Sequence, residues 1–219
     1  MASRNNEPVR RPAPRLYLVT PPVAATADIA AQLKDAFTAG DVAAVLLRLA
    51  DGDERTLINR AKALAPLVQD AGAALLIAGR PDIATRAGAD GAHVRSVAAL
   101  KDALSMLKPE RIVGAGGLKS RDDAMTAGEA GADYVMFGEP DAHGQRPAFE
   151  AVRDRVEWWA EIFEIPCVAS AERFDHMSEL CAAGADFISV SGLIFDDPRG
   201  IAAAMADAIA QLKLPEATG

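Results

Sequence analysis

The tetrapeptide Ala-Gly-Ala-Asp occurs three times in this chain, at 87–90, 130–133 and 183–186. Each copy runs into a short apolar segment: Gly91-Ala-His-Val94, Tyr134-Val-Met-Phe137 and Phe187-Ile-Ser-Val190. Looser copies, Ala39-Gly40-Asp41 and Ala71-Gly72-Ala73, stand before Ala43–Leu47 and Ala74–Ile77. One physical unit accounts for all five. A helix ends, Gly takes the left-handed position just beyond it, and the chain turns into a buried strand. Repeated helix-to-strand turns of one kind predict a parallel α/β protein.

Eight apolar runs fit as strands: Leu16–Thr20, Ala43–Leu49, Ala74–Ala78, Gly91–Val94, Arg111–Ala115, Tyr134–Gly138, Pro166–Ser170 and Phe187–Ser191. Their nearly continuous apolar character means burial on both faces. Between them apolar residues recur at helical spacing, as in Ile29, Leu33, Ala36 and Phe37, or Leu57, Ala61, Leu64 and Val68. Leu100, Leu104 and Leu107 repeat the pattern, as do Phe149, Val152, Val156, Trp159 and Phe163. A last helix is expected from about Pro198 to Leu212, with Asp196 and Asp197 as its start signal. Eight strand–helix alternations favour a single (β/α)8 TIM barrel with parallel strands over an open doubly wound sheet. The barrel is expected over 15–213, with 1–14 (Arg4, Arg10, Arg11 and three prolines) as a disordered arm and 214–219 as a C-terminal tail.

Composition narrows the partners. Half of the 219 residues are hydrophobic but only 5% are aromatic, so the core must rest on Ala, Val, Leu and Ile. A net charge of −8 argues against nucleic acid or an anionic membrane as the main partner. No apolar stretch is long enough to cross a bilayer, and no apolar secretory signal opens the chain. Cys167 and Cys181, the two cysteines, read as buried thiols of a reducing cytoplasm. Trp158 and Trp159 diverge by about 100° on a helix, so both cannot face the core. One of them is a candidate for contact with a second copy of the chain in a homo-oligomer.

In a barrel of this kind the Ala-Gly-Ala-Asp turns lie at the stability face, and the chemistry comes from the loops after the strands. Arg48, Arg80 and Arg95 follow strands two, three and four, where guanidinium forks suit a phosphate or carboxylate. The alternative for each is a rim ion pair with Asp51, Asp53 or Asp82. Gly116 and Gly117 after strand five are either a phosphate contact or a plain turn. Ser191 and Gly192 after strand eight offer a hydroxyl and backbone N–H groups where barrels of this fold often hold phosphate. Glu172, after strand seven, repels an anion and reads instead as support for the next helix cap. Glu139, Asp141 and His143 share the sixth loop, a set for proton transfer or a metal, or simply a polar loop. His93 lies within strand four, as a core histidine or a base. His176 reads as a surface residue.

Several of these segments resemble thiamine phosphate synthases and their TenI-type relatives. They are Leu16-Tyr-Leu-Val-Thr-Pro21, Ala89-Asp-Gly-Ala-His-Val94, Ile112-Val-Gly114, Gly131–Gly138, Ile165-Pro166 and Gly184–Val190. The likeness covers nearly everything from Arg15 to about Leu212. It implies a (β/α)8 barrel of thiamine biosynthesis. The family joins a hydroxymethylpyrimidine pyrophosphate to a thiazole phosphate and releases pyrophosphate with Mg²⁺. The mouth departs from the family pattern. Of a Gln-x-Arg-x-Lys run after strand two only Arg48 is kept. Gly79-Arg80 and Arg95-Ser96 stand where the family carries its magnesium carboxylates, and Gly116-Gly117-Leu118 replaces a Ser/Thr-x-His signature. The expectation is therefore a scaffold that binds a phosphorylated small molecule without Mg²⁺, no metal ligand being kept. The alternative is a non-synthase relative, either a binder or a TenI-like thiazole phosphate isomerase with His93 or His143 as base. A third reading is an oligomer component with no small-molecule role.

Overall fold

The computed structural model describes residues 12–141 and 143–212. Eight parallel strands form a barrel that closes in chain order, with β1 (Arg15–Val19) pairing both β2 (Val42–Leu47) and β8 (Phe187–Val190). Between them lie β3 (Ala74–Ala78), β4 (Gly91–Val94), β5 (Ile112–Ala115), β6 (Tyr134–Phe137) and β7 (Cys167–Ser170). The helices are α1 (Thr26–Ala39), α2 (Glu54–Asp70), α3 (Pro81–Ala87), α4 (Val97–Leu107), α5 (Arg121–Glu129), α6 (Phe149–Ile162) and α7 (Phe174–Ala182). A one-turn helix, α8 (Gly192–Phe195), precedes α9 (Ile201–Gln211). The expected (β/α)8 barrel is the fold, and every expected strand is present. The expected arm at 1–14 and tail at 214–219 lie largely or wholly outside the described residues.

Alternation along each strand divides the apolar residues between two cores. Leu16, Leu18, Val45, Leu47, Leu75, Ile77 and Val113 face outward and pack under the helices with Ile29, Leu33, Leu64, Leu100 and Val156. Tyr17, Leu46, Leu76, Tyr134, Met136 and Val168 face inward and fill the barrel. Trp159 is fully buried and donates its indole N–H to the Ile165 carbonyl at 2.7 Å. Trp158 lies half-buried under the Arg121 guanidinium, 4.7 Å from the ring centre. Both cysteines are buried.

The Ala-Gly-Ala-Asp unit does more than turn the chain. Gly88, Gly131 and Gly184 adopt φ of 73°, 101° and 97°, the left-handed region that a side chain resists. The aspartate that follows reaches back to the preceding strand. Asp90, Asp133 and Asp186 accept the backbone N–H of Leu75, Val113 and Cys167 at 2.7, 2.6 and 2.8 Å. Each also donates its own N–H to the carbonyl of that same residue, at 2.9, 2.9 and 3.0 Å. Three carboxylates thus fasten the starts of β3, β5 and β7. The loosest copy departs from the unit. Gly40 is extended, with φ −179°, and is small because the Ile209 side chain occupies the place of a Cβ.

Two expected helix starts differ. Instead of beginning at Pro198, α9 begins at Ile201, because Asp197 binds Arg199 through its backbone N–H and its guanidinium. The cap of α7 is Arg173, which makes no side-chain capping bond, while Glu172 pairs with Arg146 at 2.7 Å. By contrast, Ser120 caps α5 and forms a full capping box with Asp123.

Candidate active site

The carboxyl ends of the strands surround a cavity of about 550 Å³, walled by Arg48, His93, Arg95, Glu139, Arg146, Glu172, Ser191 and Gly192 among others. A second hollow of about 840 Å³ lies beside it, under the loops after β4, β5 and β6. The two share Arg95, Met136, Glu139, Pro140 and Arg146 as walls.

At the floor runs a chain of polar side chains, all on the inner face of the barrel. Tyr17 and Tyr134 join hydroxyl to hydroxyl at 2.8 Å, and the Tyr134 hydroxyl meets His93 Nδ1 at 2.9 Å. His93 Nε2 lies 3.2 Å from Glu139 Oε1. That distance is an ion-pair contact, but the alignment falls outside hydrogen-bond geometry, and Nε2 is left buried without a hydrogen bond. Glu139 Oε2 accepts the Gly117 N–H at 2.9 Å, and Arg95 Nε lies 3.7 Å from Oε1. Two glycines make room for this arrangement. A Cβ on Gly114 would overlap the Tyr134 ring, and one on Gly116 would overlap the Glu139 carboxylate. Burial pushes both tyrosine hydroxyls far up, so they stay protonated and serve as hydrogen-bonding posts. Burial also pushes the Glu139 carboxyl up, but the His93 ring, Arg95 and the Gly117 N–H together hold it below the ordinary glutamate value. Glu139 is therefore an ionised carboxylate, 12% exposed at the mouth.

The residues singled out in the sequence divide as follows. Arg48, Arg95, Ser191, Gly192 and His93 meet around the cavity. Among the described residues the Arg48 guanidinium has no carboxylate partner; the backbone N–H of Arg48 donates to Thr20 Oγ1 at 3.0 Å. Arg80 stands apart from the cavity wall and is clamped by Asp82 through two contacts, at 2.9 and 2.6 Å. Gly116 and Gly117 lie at the mouth, and the Gly117 N–H is engaged by Glu139. The sixth-loop trio does not converge. Glu139 turns into the barrel, Asp141 accepts the N–H groups of His143 and Gln145, and His143 is exposed over the second hollow. Tyr17 and Tyr134, within strands, escape a reading of loops alone, and Arg146 of the sixth loop is passed over in favour of its acids and histidine. Arg146 donates to the Gly138 carbonyl and Ser170 Oγ, both at 2.9 Å. The period-2 pattern carries the signal for the tyrosines, since their neighbours Leu16, Leu18, Val135 and Phe137 face outward.

Magnesium, which the family resemblance implies, takes a near-octahedral set of oxygen ligands. The ends of β3 and β4 offer Gly79-Arg80 and Arg95-Ser96, with a guanidinium at each. Glu139, the carboxylate buried at this mouth, is already met by three donors or cations. The described residues do not fit a magnesium ion at this site, and they hold no cluster of three His, Cys, Asp or Glu side chains able to take a metal.

A closed (β/α)8 barrel with an arginine-walled cavity over a buried histidine–carboxylate pair, at the carboxyl ends of its strands, has its cavity at the end where barrel enzymes hold their active sites. The sequence comparisons narrow that class. The profile of the family described as thiamine monophosphate synthase (TMP-TENI) matches residues 16–194, and the chain belongs to this family. It is 41% identical over 196 residues to the thiamine-phosphate synthase of Rhodospirillum centenum, covering 88% of this chain and 95% of that protein. With the thiamine-phosphate synthase of Hyphomonas neptunium it shares 36% identity over 205 residues, covering 89% and 92%. Among solved structures, thiamine phosphate pyrophosphorylase from Pyrococcus furiosus superposes with a TM-score of 0.74 at 22% identity, covering 90% of this chain and 95% of that one, a likeness of fold. No helix of the described residues is long and apolar enough to cross a membrane.

Proposed function

We propose that this protein works in thiamine biosynthesis as a thiamine phosphate synthase-like barrel whose mouth binds a phosphorylated small molecule on arginine rather than on a metal. The observation that carries the reading is Arg48: a guanidinium on the wall of the mouth with no carboxylate partner among the described residues, on a cavity it shares with Ser191 and Gly192. A guanidinium neutralises phosphate and grips two of its oxygens at once. The relatives named thiamine-phosphate synthase support the joining of a pyrimidine pyrophosphate to a thiazole phosphate as the reaction class. In such a reaction the protein's part is to hold both reactants and stabilise the charge of the leaving pyrophosphate. We place the protein in the cytoplasm, and Trp158 is the side chain we offer for contact in a homo-oligomer.

The His93–Glu139 pair favours a second reading, proton transfer on a thiazole phosphate in the manner of a TenI-like isomerase. His93 and Glu139, rather than the exposed His143, are then the groups to test. Three measurements test the readings. Calorimetric titration of thiazole phosphate and of pyrophosphate, with and without Mg²⁺, should show binding that needs no metal and is weakened by Arg48→Ala. Binding that strictly requires Mg²⁺ overturns the arginine reading. A direct assay for thiamine phosphate from the two substrates supports the synthase reaction if product forms. Thiazole isomerisation, followed by its ultraviolet change, with no joining, supports the second reading.

A further inference from the structure

Three buried side chains lead up to the Glu139 carboxylate from the barrel floor, and their protons can be counted. Tyr17 and Tyr134 meet hydroxyl to hydroxyl at 2.8 Å, and the Tyr134 hydroxyl meets His93 Nδ1 at 2.9 Å. Burial keeps both hydroxyls protonated, so each carries one proton to place. Among the described residues the Tyr17 hydroxyl has the Tyr134 hydroxyl as its one hydrogen-bond partner. A proton donated from Tyr134 to Tyr17 leaves the Tyr17 proton without an acceptor there, which a buried donor resists. The bonds therefore run one way: Tyr17 donates to Tyr134, and Tyr134 donates to His93 Nδ1. Nδ1 is then an acceptor, and the proton of the neutral imidazole sits on Nε2. The other end of the ring agrees. Nε2 lies 3.2 Å from Glu139 Oε1, a place that favours an N–H over a second lone pair. The alignment there falls outside hydrogen-bond geometry, so the Nε2 proton is unspent, beside a cavity that His93 and Glu139 both wall.

We infer that Tyr134, backed by Tyr17, is a positioning residue that fixes His93 as the Nε2–H tautomer, which makes His93 a hydrogen-bond donor to the ligand and Glu139 the proton acceptor of the site. The inference rests on the proton-transfer reading of the His93–Glu139 pair and divides the roles within it. A base needs a lone pair at the ligand, and the lone pair of His93 is turned to Tyr134 at the floor. Glu139 keeps oxygen lone pairs at the mouth. Burial raises its carboxyl, but His93, Arg95 and the Gly117 N–H hold it ionised. A ligand that displaces water from Glu139 raises its proton affinity further, by the same effect as burial. A carboxylate base beside a neutral imidazole donor suits the shift of a proton between two carbons. Glu139 takes the proton from one carbon, and the electron pair left behind moves toward the ligand atom bonded by His93 Nε2–H. Glu139 then returns the proton at the second carbon, so that atoms and charge balance. The substrate class is a carbon acid with an oxygen or nitrogen acceptor close to the carbon that loses its proton.

Nitrogen-15 spectra of the full chain with labelled histidine rings test the tautomer. The chain has three histidines, and His143→Gln and His176→Gln identify the other two signals by their loss. At about pH 8, where an ordinary histidine is neutral, His93 should show a protonated Nε2 and an unprotonated, hydrogen-bonded Nδ1. Tyr134→Phe should move the Nδ1 signal to the position of a free lone pair, a change that a merely structural tyrosine does not produce. A protonated Nδ1 in the wild-type protein overturns the inference. So does an unmoved Nδ1 signal in Tyr134→Phe with a native circular dichroism spectrum. Isomerisation of thiazole phosphate, followed by its ultraviolet change, tests the division of roles. Glu139→Gln should lower kcat about a hundred-fold or more. His93→Gln, which keeps an N–H donor, should lose less. The reverse order makes His93 the base and overturns the division. The two readings fail separately. If the wild-type protein does not isomerise thiazole phosphate, the proton-transfer reading falls and Glu139 loses its role as base with it, while the spectra alone decide the role of Tyr134.

Discussion

The two ends of this barrel use the same side chains in opposite ways. At the amino ends of the strands, Asp90, Asp133 and Asp186 direct their carboxylates at backbone N–H groups of β3, β5 and β7, and each bond serves the fold. At the carboxyl ends, Glu139 faces a histidine, an arginine and a cavity, and the Arg48 guanidinium, on the cavity wall, has no carboxylate partner among the described residues. A carboxylate that satisfies the backbone raises stability. One that gathers cations in a half-buried pocket, close to bulk water, serves a ligand at some cost to the fold. The repeated sequence motif belongs to the first end, and the residues that depart from the family pattern belong to the second.

The sharpest way to break this division is to remove the three clamps. Each Asp→Ala change leaves a strand N–H without its carboxylate and should cost about 1–3 kcal/mol. Strands two apart lie roughly 10 Å from each other, far enough for the costs to add. The triple variant should therefore lose about 3–9 kcal/mol, comparable with the whole stability of a typical domain at about 5–15 kcal/mol. Urea unfolding measures each step. The single variants should bind phosphate as the wild type does. If Asp186→Ala leaves the urea midpoint unmoved while weakening ligand binding, the division between the ends is wrong.

The converse change is Arg48→Ala. It should lower phosphate affinity about ten- to hundred-fold, the range of a lost charge-assisted contact, and shift the unfolding free energy by no more than about 0.5 kcal/mol. Titration and unfolding on the same sample compare the two effects. A stability loss larger than the binding loss would assign Arg48 to the scaffold.

The stable end was legible in the sequence because its rule is local. Glycine after a helix, then a strand, needs no knowledge of neighbours, and Gly88, Gly131 and Gly184 obey it. Gly40 breaks it because a tertiary contact with Ile209 sets its size requirement. The destination of each aspartate was not legible, since it depends on which strand lies alongside once the barrel closes. At the mouth, spacing placed Arg48, Arg95, His93, Ser191 and Gly192 on the strand ends that form the cavity, but could not say which guanidinium a carboxylate already held. Glu139 reads as one polar loop residue among three. Its inward turn follows from Gly138 at φ 90° and from the missing Cβ of Gly116, a partner 22 positions away from Gly138 in sequence.

The pH dependence of stability sharpens the contrast within the mouth. The Glu139 carboxyl is held below its ordinary value of 4.5 in the folded state. A group with a depressed folded pKa adds stability that is fully present above the unfolded value and is lost as pH falls through the folded one. From about pH 7 down to about pH 3 the wild-type protein should therefore lose stability more steeply than Glu139→Gln. The slope is the test rather than the level, because replacing a buried ion by a neutral isostere can raise stability at neutral pH. Parallel slopes would mean that Glu139 has no ionised partner set in the folded protein.

The smallest expected effect concerns the arginine that the sequence grouped with the others. Arg80 follows β3 as Arg48 follows β2, yet its guanidinium is clamped by Asp82 and stands off the cavity wall. Both side chains are 40% exposed, so solvent screens the pair and it is worth about 0–1 kcal/mol. Arg80→Ala should change phosphate affinity by less than about two-fold and stability by less than about 1 kcal/mol. Asp82→Ala is the more telling partner experiment. It frees the Arg80 guanidinium without removing it, and at low salt a free cation near the mouth should raise the association rate of an anionic ligand modestly while leaving dissociation unchanged. Stopped-flow binding at two salt concentrations separates the rates. A slower dissociation in Asp82→Ala would show that Arg80, once released, reaches the bound ligand, and would move it from the rim into the site beside Arg48.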